Sequence, residues 1–174
     1  MRLPRAALLL FALLVPTVAA VAQAPGKVTL ADLKVLEGTW ILDVEKSGLT
    51  QAEAERRVMS SGPAWLRIDL HRAADAQPVA LIYNLDGSSN VNAFGAGTAI
   101  TKLTREGEQI VLETVFTVNN QAVTLNERVP LVPGLNLPVE TMLRVEHGYQ
   151  GVLAPLEKQA PNVAQNVKYF RRTK

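Results

Sequence analysis

The sequence predicts an all-β fold, an eight-stranded up-and-down antiparallel barrel with one short helix in the first long loop. Three observations carry this. From Pro63 onward apolar residues recur with period two, as in Leu66, Ile68 and Leu70 against Arg67, Asp69 and His71. The alternating runs are short and separated by tight turn signals, the mark of a sandwich or a closed barrel. A glycine two residues before an inward tryptophan, Gly38-Thr39-Trp40, heads the first run and would plug one end of a cylinder.

The elements follow in order. Arg2 and Arg5, the apolar stretch 6–15 and Ala20-Val21-Ala22 form a targeting segment, residues 1–22, with cleavage expected after Ala22 or, second, Ala24. Its apolar stretch is too short to span a bilayer, so no stable membrane anchor is expected. Residues 23–37 are a lead-in, where Leu30, Leu33 and Leu36 allow one helical turn. A single barrel domain fills 38–172. Its first strand runs from Gly38 to Glu45, with Trp40, Leu42 and Val44 on one face. Thr50-Gln51-Ala52-Glu53 has the form of a capping box, and good helix formers follow to Val58, predicting a two-turn helix. Further strands lie at 65–71, 79–85, 98–104, 109–118, 123–129, 139–147 and 163–171. With eight strands, loops 46–64, 86–97 and 148–164 would gather at one end as a mouth. Links 73–78, 105–108 and 131–138 would fall at the other, near Trp40.

Composition narrows the function. Removing residues 1–22 takes two of 18 basic residues and none of 16 acids, leaving an exported chain with 16 of each. That neutrality argues against nucleic acid as a partner. The basic tail, Lys168, Arg171, Arg172 and Lys174, reads as a solvated strand end. Cysteine is absent, which excludes disulfides, a thiol nucleophile and a lipidated N-terminal cysteine. Stability must then come from burial in one domain.

Leu36-Glu37-Gly38-Thr39-Trp40 ahead of a strand, with Arg171 or Arg172 late in the last one, resembles the lipocalin (calycin) pattern. There a G-x-W tryptophan is covered at the closed end by a late arginine. Trp40 to Ser47 is similar to the opening of small exported bacterial lipocalin-like proteins. The family's middle motif, Thr-Asp-x-x-x-Tyr, has no counterpart, since residues 131–138 read LVPGLNLP. The resemblance implies a cup that binds a small, mostly apolar molecule, with Gly38, Trp40 and one arginine closing its base. Val167, Tyr169 and Arg171 share a face, which favours Arg171 for a cation–π contact of about 0.5–2 kcal/mol.

Candidate ligand-binding residues are the aromatics near the expected mouth: Trp65, Tyr83, Phe94, Phe116 and Tyr149. They suit a cavity lining and, equally, the packed filling of a small barrel. His71 and His147, the latter beside Glu146, would have to converge to hold a metal. Nothing in their spacing requires it, and no metal or cofactor is expected. No G-x-S-x-G, H-E-x-x-H or S-x-x-K occurs, and Gly95-Ala96-Gly97 precedes no helix that would make it a phosphate loop. Asp43, Glu45, Glu53 and Glu55 read as solvated, so no catalytic residue is assigned. The expectation is an exported, non-enzymatic binding protein. Its alternatives are a solid envelope interaction module and a small barrel enzyme.

Overall fold

Ten antiparallel strands, rather than eight, form one sheet in the order β4-β3-β2-β1-β10-β9-β8-β7-β6-β5. The computed structural model describes residues 26–73, 77–118, 121–131, 142–150 and 166–173; the side chains at 118, 149, 150 and 166 stand outside that description. So do the predicted targeting segment, nearly all of loop 148–164 and most of link 131–138. The elements are α1 (Leu30–Lys34), β1 (Gly38–Leu42), β2 (Glu55–Ser61), β3 (Trp65–Arg72), β4 (Val79–Asn84) and β5 (Asn90–Phe94). They continue with β6 (Gly97–Glu106), β7 (Gln109–Val118), β8 (Gln121–Pro130), β9 (Met142–Gln150) and β10 (Asn166–Arg172).

The two additional strands replace a helix and a loop. The capping box at Thr50 and Glu53 forms, but it starts only a 3-10 turn, Gln51–Glu53. The chain then extends into β2, pairing with β1 and β3, and Glu55, Arg57 and Met59 alternate into the interior. Good helix formers are overruled here by strand pairing on both sides. The Ser/Asn-rich stretch likewise yields β5, paired to β6 through a turn at Gly95 (φ 56°). The short α-helix lies instead before β1. Thr29 and Asp32 cap it reciprocally, Leu33 and Leu36 bury, and Arg105 pins Asp32 at 3.2 Å.

The extra strands move the loops. The sharp turn at Asp86-Gly87 falls at the Trp40 end, and the Gly95-Ala96 turn at the opposite end. Residues 62–64 join the Trp40 end while 43–54 stay opposite, and Ala73 and residues 77–78, expected near Trp40, also lie opposite. The expected gathering of 46–64 and 86–97 at one rim is therefore corrected. Each stretch contains a strand and is divided between the two ends.

β1 closes on β10 through a backbone ladder. β4 meets β5 differently, through side chains. The Asn92 amide accepts from Ile82 N at 2.8 Å and donates to Ile82 O at 3.2 Å; Asn90 and Thr101 Oγ1 donate to the same carbonyl. One asparagine thus satisfies an edge residue much as a neighbouring strand would.

The Trp40 end is filled. Trp40 and Phe170 are fully buried with Leu33, Leu36 and Leu143, and Trp40 Nε1 donates to Leu36 O at 2.7 Å. Arg172, not Arg171, covers the indole, with Cζ 4.7 Å from the ring. It also donates to Val35 O and Glu37 O at 3.0 and 2.6 Å. Register explains the correction. Arg172 lies directly opposite Trp40 and shares its face, whereas Arg171 lies opposite the exposed Ile41. Arg171 instead donates to Asp43, which is buried and caps the turn at Lys46, not solvated as its strand position suggested. Gly38 precedes this plug with φ 123°, a conformation that favours glycine.

Candidate functional site

Beyond the plug the barrel holds a cavity of about 380 Å³. Its lining changes character along the barrel. Phe94 and Phe116 stack at 5.4 Å between centroids near the rim, with Leu49 from the β1–β2 link beside them. Deeper, at mid-barrel, Glu55, Arg57, Glu127, His147 and Lys168 line the same space.

Strand alternation places these five residues together. Glu55 and Arg57 are two apart on β2 and so point inward together. On β8, Glu127 follows the inward positions of Val123 and Leu125. On β9, His147 follows Leu143 and Val145. On β10, Lys168 has the parity of buried Phe170. Register then sets Glu127 opposite His147. Lys168 is accordingly part of the interior, correcting its reading as a solvated tail residue, and Glu55 is buried rather than solvated.

The cluster is a connected network. Arg57 Nη2 and Nη1 donate to Glu127 at 2.7 and 3.3 Å, and Arg57 Nε donates to Glu55. Lys168 Nζ donates to Glu55 at 3.2 Å, and the Arg57 guanidinium lies 4.6 Å from the Phe170 ring, resting on the plug. Burial alone would raise both carboxyls. For Glu55 the Arg57 and Lys168 charges outweigh it and bring it down to about 2. Arg57 likewise holds Glu127 below the ordinary carboxylate range.

His147 differs. Burial, opposed by Glu127 and reinforced by Arg57 and Lys168, lowers it from 6.5 to about 4, so it is neutral at neutral pH. Nε2 stands 3.3 Å from Glu127 Oε1 without hydrogen-bond alignment, and neither ring nitrogen has a hydrogen-bond partner. Tyr83, fully buried, bonds its hydroxyl to Thr114 Oγ1 at 2.9 Å. Burial, ahead of Glu127, raises its pKa.

Of the aromatics singled out from sequence, Phe94 and Phe116 line the cavity. Tyr83 holds the cavity-lining Thr114 in place without lining the space itself. Trp65 opens β3 at the plugged end, packed over Gly62 and partly exposed, away from the site. Tyr149 pairs with Leu125 through the backbone, and its side chain lies outside the described residues. Sequence reasoning missed the charged cluster, yet a signal existed. Glu127 and His147 each interrupt an apolar inward stripe, and a charge on such a stripe either breaks the strand or serves a buried network. His71 faces outward beside Arg56 at 3.2 Å, on the other side of the wall from His147. Among the described residues no three metal-ligating side chains converge.

No family model and no curated protein matches the chain. Among solved structures it is similar to a secretary abundant heat soluble (SAHS) protein from Ramazzottius varieornatus. The TM-score is 0.53 at 9% identity, over 80% of this chain and 96% of that one. At that identity the likeness is one of fold, and it spans nearly the whole of the other barrel.

Proposed function

We propose that this is an exported lipocalin-like binding protein that holds a small, largely apolar molecule inside the barrel. The observation that carries this reading is the cavity itself. It is walled by the Phe94–Phe116 stack and aliphatic side chains, with a few polar groups convergent at its inner level. That is the usual make-up of a ligand pocket, and its volume is at the small end of the usual range of about 300–1,000 Å³. A solid interaction module would have filled this space with side chains, as the Trp40 end is filled. Export rests on the residue pattern at 1–22, and an intact mass beginning at Gln23 would support it.

A shifted histidine facing a cavity is also what a small barrel enzyme would use. Among the described residues that line the cavity, the one hydroxyl, Thr114 Oγ1, is bonded to Tyr83 and not to His147, so no hydroxyl–imidazole pair forms. Binding is therefore the function put forward. Native mass spectrometry after gentle purification tests it: a bound mass released by solvent extraction is expected. A bare chain that also fails to take up an apolar fluorophore would overturn it.

A further inference from the structure

Charge is spread unevenly around the mouth of the barrel. Overall 20% of the chain is charged, yet residues 87–101 and 114–126 contain no Asp, Glu, Lys, Arg or His. The fold sets these two stretches side by side, where they supply β5 and the mouth-end halves of β6, β7 and β8. Register then aligns their outward side chains. Val91 lies opposite Ile100, Ile100 opposite Val115, and Val115 opposite Thr124, a row across four neighbouring strands. Val91 is 67% and Ile100 45% exposed. One row nearer the rim stand Ala93, Thr98, Thr117 and Ala122, all exposed. One row nearer the plug, charge returns with Lys102 opposite Glu113. The other mouth-end segments also expose charge, at Glu45, Lys46, Glu53 and Arg72.

We propose that this uncharged side of the rim is a membrane-contact surface, laid against neutral lipid where the cavity takes up or gives off its ligand. Three observations favour lipid over a protein occupant. Strand and residue spacings bound the two rows at roughly 250 Å², well short of the about 800 Å² per partner that a stable dimer needs. The rows hold none of the Trp, Tyr or Arg anchors on which protein interfaces depend. Third, the patch is continuous with the cavity, because Phe94 and Phe116 stack on the inner side of the same β5 and β7 rim. A wall apolar on both faces at its lip gives an apolar ligand an unbroken path out of lipid. The backbone is suited to shallow entry, since β6 and β7 are paired on both sides and Asn92 closes the β5 edge onto Ile82. With no charge in the patch, contact rests on apolar burial, so it is insensitive to salt and needs no anionic lipid.

Flotation of the mature protein with phosphatidylcholine vesicles tests this. A vesicle-bound fraction that is the same at low and high salt is expected. The Val91→Asp, Ile100→Asp double variant should bind about tenfold less, as two exposed aliphatic side chains no longer leave water. The chain has no cysteine, so single cysteines can carry a nitrobenzoxadiazole label in the otherwise unaltered protein. A label at Ala96→Cys, in the β5–β6 turn, should shift to the blue when vesicles are added, and one at Lys102→Cys should not. Absence of flotation, loss of flotation at high salt, or an equal shift at both labels would overturn the proposal. So would a blue shift at Ala96→Cys that rises with protein concentration without vesicles, which would make a second copy the occupant. The labelled proteins decide the matter even if the double variant fails to fold. The proposal goes beyond the binding reading and fails separately from it: a ligand-loaded barrel that ignores vesicles overturns only the proposal, and an empty barrel that floats overturns only the binding reading.

Discussion

The two halves of this barrel are made by the same strands and solve opposite problems. At one end inward positions carry Trp40, Phe170, Leu143 and Leu36, which fill the space and meet the single indole N–H with a backbone carbonyl. Farther from that end, inward positions on β2, β9 and β10 carry Arg57, His147 and Lys168, where ion pairs replace packing and space remains. An apolar plug needs only shape, because dispersion and burial are indifferent to exact partners. A charged layer needs every partner present. The difference teaches that the plug is where the fold is held and the charged layer is where selection can occur.

Variants can break this contrast, and the largest effect should come from the charged layer. Arg57→Met removes the donor shared by Glu55 and Glu127 and leaves two buried acids, with an expected loss of about 3–5 kcal/mol in urea unfolding. A loss below about 1 kcal/mol would mean that water reaches the acids freely. Trp40→Ala should cost about 3–4 kcal/mol by leaving a void in the plug. Its cost should change little between low and high salt, because Arg172, which loses the ring beneath it, keeps its bonds to Val35 O and Glu37 O.

The next effect is a pH dependence whose segment between about pH 6.5 and 4 comes from the charged layer through His147. His147 has a folded pKa below its unfolded value, so its contribution is whole above pH 6.5 and lost as pH falls toward about 4. Glu55 is also depressed, and its contribution is lost between about pH 4.5 and about 2. Thermal unfolding should therefore show stability falling by about 2–3 kcal/mol between pH 6.5 and 4, with His147→Phe flattening that segment and leaving the acid one. An unchanged profile in the variant would remove His147 from the account.

The smallest effect separates the two late arginines. Arg172→Gln should cost about 0.5–1 kcal/mol and alter Trp40 emission, read in a Trp65→Phe background. Arg171→Gln should leave that emission unchanged, because its guanidinium lies on the outer wall with Asp43. The reverse result would restore Arg171 to the plug.

Much of the wall was legible along the chain because period-two alternation is a local property. The β6–β7 hairpin, the inward faces of β3 and β4 and the placement of Trp40 all follow from it. β2 was not legible. Residues 52–58 favour a helix locally, and only pairing to β1 and β3 makes them a strand. Phe94 and Phe116 were legible as candidates because large aromatics near strand ends are conspicuous. The charged cluster was not, since Glu55 and Lys168 lie 113 residues apart and look like surface when each is seen alone.

By itself, the sequence determined which residues face the same way on each strand, that the fold is a β-cylinder, and that a glycine–tryptophan pair seals one end. Those properties depend on neighbours two residues away. Only the tertiary structure decided the number of strands, which arginine covers the indole, and that four charges and a neutral histidine share one interior layer. These depend on register between distant strands, where a shift of one residue exchanges inside for outside.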